Sequence, residues 1–420
     1  LKGKDPLIKI KTLKSDRQTG YSLADWTIHT DVLTPEQAAV ESEKAFETLC
    51  KVLSSNFGND LATVVETSTE NYPIWVGWNI LDSIGEKAIR LVDTTNAFII
   101  HDSGTSKPAE RASKSLDAAG IKTRLYQVSP GEKNKNLESA SQIYKWLAGS
   151  RAERKDLIVA VGGGMVGDLA GFVAATYMRG MPFIQIPTTL LAMVDASIGG
   201  KVAIDLPGGK NLVGSFHQPK FVLSDVQILQ SLPARDLTAG WAEAIKHSLI
   251  LDLPSLSTFE DHAESIQSLE PDSTTTIIKR SVATKARIVS LDEKETTGVR
   301  ALLNYGHTIG HALESVTSYS SILHGEAVSI GMSGAAYISN QIGILTENEL
   351  ARQQNVLQQY GLPTSFKNIQ VEAVLSAMKS DKKTQNKIIH WVLLNGIGNA
   401  ITRSDVSSEL VRSTLFMLSK

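Results

Sequence analysis

Cysteine is nearly absent from this 420-residue chain, where Cys50 stands alone. That excludes an internal disulfide framework and fits a reducing compartment, so a cytoplasmic location is expected. Long apolar runs are missing as well. The richest stretch, 157–178, is broken by glycines and by Asp168, short of the roughly 18 uninterrupted apolar residues that a membrane span needs. The basic start LKGKDPLIKIKTLK has neither an apolar core nor a small-residue cleavage site, so it does not read as a secretory leader. A net charge of −2 leaves no global basic surface for nucleic acid or an anionic membrane. The phosphate-cradling pattern GxxxxGK[ST] occurs nowhere. What remains is a chain expected to be soluble and long enough for two or three domains.

Residues 1–58 have their own character. The segment YSLADWTIHTDVLTPEQAAVE predicts a short strand at 26–29, a turn, and a helix capped by Thr34, with Pro35 at its first position and Glu36 in its first turn. It resembles the last strand and helix of a shikimate kinase. The resemblance implies a C-terminal remnant of such a domain, fused upstream in a longer polypeptide and unable to act as a kinase; a plain linker with a helix is the alternative. Beyond it, short apolar runs at 74–77, 97–101, 123–128, 157–161, 183–186 and 221–224 alternate with spacers long enough for helices, the pattern of parallel strands with crossover helices. From Pro233 helical periodicity dominates, at 240–252, 276–291, 300–316, 324–342 and 346–360, and only 387–394, KIIHWVLL, reads as a strand. The expected fold is α/β. Residues 59–232 form a nucleotide-binding α/β domain with a mostly parallel sheet, and 233–420 a mainly helical domain for metal and substrate.

One stretch concentrates the chemistry: RALLNYGHTIGH over 300–311, followed by His324 in LHGEA. On one continuous helix, at about 100° per residue, Arg300, Asn304, His307 and His311 fall within roughly 60° of one another. That face would carry a guanidinium, an amide and two imidazoles, while Leu302, Leu303 and Ile309 turn elsewhere. Neutral imidazole is the commonest metal ligand, and a catalytic zinc takes three protein ligands and keeps a position open. His307, His324 and one carboxylate suffice, and Glu243 in GWAEAIKH is the candidate, with Lys246 one turn on and pointing the same way. Gly162, Gly164 and Gly167 satisfy GxGxxG after LIVAV, but FIQIPTTLL ends in Pro187, Thr188 and Thr189 instead of the acid that a dinucleotide fingerprint requires. Lys201 and Lys210 stand with Asp195 and Asn211 in the glycine-rich loop VDASIGGKVAIDLPGGKN.

Together with GGGMVGDLAGF, DASIGGK and GKNLVGSFHQP, these segments resemble 3-dehydroquinate synthase over about residues 60–420, in the family's order. The resemblance implies conversion of 3-deoxy-D-arabino-heptulosonate 7-phosphate to 3-dehydroquinate and phosphate, with a catalytic NAD, one divalent metal (zinc or cobalt) and a homodimer. Metal falls to Glu243, His307 and His324. Cofactor positions fall to Asp102, Glu132, Lys135, Gly163, Gly164, Met165, Asp168, Thr188, Thr189, Leu191, Asp195, Lys201, Lys210, Ser231 and Leu232. Substrate falls to Asp195, Arg179, Lys201, Lys210, Asn211, Lys246, Lys285, Arg300, Asn304, His311 and Lys382, with Lys382 and Lys383 competing for one role. His311 is the expected proton carrier, assisted by Asn304, with Lys246, Arg300 and Lys201 also catalytic. So many cations at motif positions predict a cage that only a bound anion would neutralise. Val202, His247 and Asn386 depart from the family's usual threonine, tyrosine and glycine. The alternatives are a sister sugar-phosphate cyclase of the epi-valiolone or deoxy-inosose type, a metal-dependent polyol dehydrogenase, or a non-catalytic subunit of a larger assembly.

Overall fold

The computed structural model describes residues 34–40, 42, 60–68, 70–317, 321–380 and 389–419, in two compact units, 1–59 and 60–420. In the first unit residues 35–40 are helical, and the cap is the expected one. The Gln37 amide donates to Thr34 Oγ1 (3.2 Å) and the Thr34 amide to Gln37 Oε1 (2.8 Å), a reciprocal box that satisfies two amides at once. The strand expected at 26–29 lies outside the described residues.

The second unit begins with β1 (Leu61–Glu66) and β2 (Asn71–Gly77), then alternates. In order come α1 (Ile84–Leu91), β3 (Asn96–Asp102), α2 (Ser106–Ala118), β4 (Lys122–Val128), α3 (Leu137–Gly149), β5 (Leu157–Gly162), α4 (Gly164–Thr176) and β6 (Phe183–Pro187). A hairpin of β7 (Lys201–Leu206) and β8 (Gly209–Phe216) precedes β9 (Val222–Asp225). Seven strands form one sheet in the order β1-β2-β9-β6-β5-β3-β4, parallel except for the β1–β2 pair. All six strand runs expected here are present. Every residue of LIVAVG in β5 is buried, because helices cover both faces of a central parallel strand and an alternating pattern would put polar groups in the core.

Two strand features were not anticipated. β1 was not expected at all, and the supposed glycine-rich loop is the β7–β8 hairpin, paired from Lys201↔Phe216 to Leu206↔Gly209. Its signal is masked because β8 is exposed along most of its length and so lacks the alternation that marks a half-buried strand.

The helical half holds α5 (Ala234–Leu251), α6 (Leu253–Asp261), α7 (Ala263–Gln267), α8 (Pro271–Leu291), α9 (His307–Val316), α10 (His324–Gln341), α11 (Glu347–Gln359), α12 (Val371–Ser380) and α13 (Ser408–Leu418). The strand expected at 387–394 appears as β10 (Trp391–Leu394), antiparallel to the unanticipated β11 (Ala400–Arg403). One apolar core runs from Ile74, Val76 and Val222 of the sheet to Trp241, Ile245, Val282, Leu313 and Val328 of the helices, and another, with Phe98, Ile143, Ile158 and Leu169, lies within the sheet half. Each such side chain contributes about 1.5–3 kcal/mol on burial. Among the described residues no helix is long and apolar enough to cross a membrane.

The continuous helix expected over 300–316 is corrected. Residues Arg300–Asn304 form a 3₁₀ turn, and α9 starts only at His307. Gly306 between them has φ +83, a left-handed conformation that ends a helical run and that glycine adopts without steric cost. A Cβ on Gly331 of α10 would lie 1.9 Å from the Gly306 carbonyl oxygen. The break is therefore seated directly on the backbone of α10.

Candidate active site

Glu243 lies in the middle of α5 and is fully buried, while His307 and His324 are the first residues of α9 and α10. Three helices thus aim three candidate ligands at one point. Glu243 Oε1 is 3.6 Å from Nε2 of both His307 and His324, and one ligand atom from each residue falls within 4.8 Å of the others. The remaining ring nitrogens are engaged. His307 Nδ1 donates to the Tyr305 carbonyl (3.2 Å) and His324 Nδ1 to Glu314 Oε2 (3.1 Å). This network places a proton on each Nδ1 and turns each Nε2 toward Glu243.

Hydrogen bonding at this point is incomplete in a way that fits a cation. Lys246 Nζ makes an ion pair with Glu243, yet neither Glu243 oxygen receives a well-formed hydrogen bond. A buried carboxylate in that condition is costly unless something compensates it. Burial opposes ionisation of Glu243, but the Lys246 ammonium and the two imidazoles keep its carboxyl well below the usual range. Burial and the Lys246 charge push His307 well below its ordinary value, leaving it neutral. For His324 burial acts the same way, but the Glu243 and Glu314 carboxylates that face its two nitrogens prevail and draw its pKa up to about 10. The imidazoles differ in this respect, but both present Nε2 to the same carboxylate oxygen. A divalent cation bound there would displace the His324 proton.

The C-terminal ends of β3 and β5 form a second locus. Asp102 closes β3 and accepts from the Gly104 amide (2.8 Å), and Thr105 Oγ1 donates to the Val161 carbonyl (3.0 Å), tying the turn to β5. Gly163 precedes α4, and no side chain caps that helix's first amides at Gly164 and Met165, an arrangement suited to a phosphate. The Thr188 amide donates to the Gly162 carbonyl at 3.0 Å, so Thr188 and Thr189 lie alongside, and Leu191 leads into the turn that carries Asp195. Lys135, only 3% exposed, donates to Asn211 Oδ1 (2.7 Å) and Asp168 Oδ2 (3.0 Å) and pairs with Glu132 (2.9 Å). Burial works against its charge, but the Asp168 and Glu132 carboxylates outweigh it and raise its pKa. Burial pushes Asp168 up to about 6 against the pull of Lys135. Ser231 ends the 3₁₀ run after β9 and Leu232 follows it; the Ser231 hydroxyl donates to the Ile228 carbonyl (2.8 Å).

The expected uncompensated cationic cage is also corrected, because acids already face these cations. Lys285 donates to Asp195 Oδ1 (2.5 Å) and Lys210 lies 3.5 Å from Glu132. Glu295 pairs with Lys201 and stands 3.5 Å from Arg300 Nε. No anion is needed to hold the cluster together. Arg300 is buried and also donates to the Glu293 carbonyl (2.6 Å). Asn304 and His311 are exposed, and the His311 ring centroid lies 5.1 Å from that of His307 and 6.2 Å from that of His324. Arg179 makes none of these contacts among the described residues. It is exposed in the turn beyond the C-terminus of α4, whose 13 residues span about 20 Å from the Gly163 end. Lys382, Lys383 and Asn386 lie outside the described residues.

Four positions escaped sequence reasoning. Asp292 accepts from the amides of Thr296 (2.8 Å), Thr297 (3.1 Å) and Arg300 (3.1 Å), and its place ahead of Thr-Thr-Gly was a readable turn signal. Glu314 lies three residues after His311, so helical spacing could have flagged it. Ser281, whose hydroxyl meets Nδ1 of the buried His247 at 2.8 Å, and Glu295 carried no local signal.

The chain is similar to known proteins over most of its length. Residues 125–239 match the family described as 3-dehydroquinate synthase N-terminal, and residues 240–384 the one described as 3-dehydroquinate synthase C-terminal. A 3-dehydroquinate synthase of Picosynechococcus sp. is 41% identical over 365 residues, 85% of this chain and 98% of that one. One from Caldanaerobacter subterraneus subsp. tengcongensis is 43% identical over 337 residues, 80% and 94% of the two chains. Among solved structures, the 2-epi-5-epi-valiolone synthase of Streptomyces hygroscopicus subsp. jinggangensis 5008, with NAD+ and Zn2+ bound, superposes with a TM-score of 0.75 at 27% identity, covering 83% of this chain and 96% of that one. A 2-deoxy-scyllo-inosose synthase complexed with carbaglucose-6-phosphate, NAD+ and Co2+ has the same score and identity, covering 84% and 98%. The NADH-dependent butanol dehydrogenase A of Thermotoga maritima, at 17% identity and a TM-score of 0.59 over 85% and 100%, shares the fold.

Proposed function

The chain belongs to the 3-dehydroquinate synthase family, and from that premise we propose that it converts 3-deoxy-D-arabino-heptulosonate 7-phosphate into 3-dehydroquinate and phosphate, a step of the shikimate pathway. The observation that carries this reading is the Glu243, His307 and His324 constellation, with its under-satisfied carboxylate, set beside an uncapped glycine-led helix start. Identity of about 41% to proteins of this name, against 27% to the valiolone and inosose synthases, favours it over a sister cyclase. The polyol dehydrogenase reading is supported by fold alone.

A divalent metal, zinc or cobalt, would polarise substrate oxygens as a Lewis acid, and NAD would accept and later return a hydride, so that net redox change is zero. The residues divide by lobe. In 59–232, Asp102 would hold a cofactor ribose; Glu132, Lys135 and Asp168, the amides of Gly163, Gly164 and Met165, and Thr188, Thr189, Leu191, Ser231 and Leu232 would line the rest. In 233–420, Glu243, His307 and His324 would hold the metal. Lys246, Lys285, Arg300 and Asn304, with Asp195, Lys201, Lys210 and Asn211 from the other lobe, would bind substrate. On entry the substrate oxygens would exchange with Glu295 for Lys201 and Arg300.

Oxidation of a sugar hydroxyl to a ketone would make the neighbouring C–H acidic, and loss of that proton would expel phosphate; return of the hydride, ring opening and an intramolecular aldol step would then close the carbocycle. His311, beside the ligand imidazoles yet exposed, is suited to carry protons near the departing phosphate and ring oxygen, with Asn304 hydrogen-bonding the same region. Arg179, at the far end of α4, would meet substrate from a second copy of the chain in the homodimer we propose. We place the enzyme in the cytoplasm, with residues 1–58 as the end of a fused kinase-like domain. The test is phosphate release from the heptulosonate phosphate with NAD and metal present. Phosphate should accumulate in step with substrate loss while nicotinamide absorbance stays flat; stoichiometric NADH growth would replace the cyclase with a dehydrogenase.

A further inference from the structure

We infer that Glu314 is a positioning residue for the metal centre, acting through His324. The inference rests on the proposed ligand set. Glu314 lies on α9, seven residues beyond His307 and three beyond His311, and is only 6% exposed. Its Oε2 accepts from His324 Nδ1 at 3.1 Å, on the far side of the ring from Nε2, which stands 3.6 Å from Glu243 Oε1. One imidazole is thus held between two carboxylates, one on each nitrogen.

An imidazole joined to its chain through a single Cβ can rotate about χ2, and either nitrogen can carry the proton. Only one combination, proton on Nδ1 and lone pair on Nε2, presents a ligand to the point shared with Glu243 and His307. The Glu314 carboxylate, an acceptor without a proton to give, selects that tautomer and that ring orientation, and its charge makes Nε2 a stronger donor. For His307 the Tyr305 carbonyl does the same at 3.2 Å, but a backbone oxygen cannot be removed by substitution. Glu314 also faces His311, with one ligand atom each of Glu314, His311 and His324 within 4.8 Å of one another. The same carboxylate therefore supports a metal ligand and the proposed proton carrier.

The experiment measures metal retention by the full chain under graded chelator, together with the visible spectrum of the cobalt-loaded protein. NAD affinity and the thermal unfolding of metal-free protein serve as controls. Glu314→Ala should lose about 10–100-fold in metal affinity, the range typical when a ligand's hydrogen-bond partner is removed, and should shift the cobalt spectrum while both controls hold. Glu314→Gln keeps an oxygen that can accept from Nδ1 and should recover part of the loss. It also decides the matter should the Ala variant not fold: Gln affinity equal to the parent's overturns the inference. If Ala retains parental affinity and spectrum while His324→Ala loses the metal, the inference falls and the ligand set stands. If His324→Ala keeps its metal, both fall. Equal losses of metal, NAD affinity and stability, without rescue by Gln, would make Glu314 a packing residue and overturn the inference as well.

Discussion

Lys285 Nζ, reaching out of α8, donates to both the Oδ1 (2.5 Å) and the backbone carbonyl (2.6 Å) of Asp195 in the turn behind β6. The contact fastens the helical half to the sheet half beside Glu243. Burial opposes a charged Asp195, but the Lys285 ammonium overcomes it and lowers its pKa to about 2. Lys285→Met should therefore cost about 1.5–3 kcal/mol, the range for hydrogen bonds to a charged group, because the Asp195 side chain keeps some solvent, and adding Asp195→Asn should recover part of it. Denaturant unfolding of the two single variants and the double variant checks this. Additive losses would mean that the pair is not coupled.

Asp292 sets a pH dependence. Burial disfavours its charge, but three amides from the Thr296–Arg300 turn donate to it and lower its pKa to about 2, below its ordinary 3.8. The folded state therefore binds fewer protons than the unfolded one between these values. The stabilisation is fully present above the unfolded value and is lost as pH falls through the folded one. Asp292→Asn should cost about 1.5 kcal/mol at neutral pH, the low end for hydrogen bonds to a charged group under a surface loop, and the gap to the parent should narrow in acid. Paired unfolding curves at neutral and acid pH decide it; a gap that widens in acid is the contrary result.

Gly306→Ala should hurt twice. The left-handed φ of +83 costs an L-residue about 1–2 kcal/mol, and the new Cβ would stand 2.7 Å from the Val328 carbonyl and Met332 Cγ. Because His307 is the next residue, metal retention should drop with stability. Gly298→Ala is the control: φ is +86 but nothing lies within 4 Å of the added Cβ, so only the backbone cost should appear. Equal losses at the two sites would show that the seat of Gly306 on α10 contributes nothing.

Arg300→Lys and Asp102→Ala should separate the two half-sites. The planar Arg300 fork is not reproduced by an ammonium, so substrate affinity should fall about ten-fold to a hundred-fold, in line with about 1.5–3 kcal/mol for a charge-assisted bond, while NAD affinity holds. Asp102→Ala should weaken NAD and spare substrate. Separate titrations of each variant read this out, and crossed phenotypes would mean that the half-sites are interchanged.

The sequence by itself determined the strands and helices whose burial pattern is uniform, such as LIVAVG in β5, and the candidate site residues whose spacing places them on one helix, such as Glu243 with Lys246. Both are legible because local periodicity reports which face of an element meets the core. Tertiary structure alone decided the rest. The helical phase drawn through Arg300 and His311 holds only if the helix is unbroken, and the break at Gly306 is seated against α10, which lies beyond it in the chain. Counting lysines and arginines exposed a surplus at the motif positions, yet Glu295 meets Lys201 across 94 residues. Charge balance in a site is a property of what packing brings within a few ångströms, and sequence distance carries no record of it.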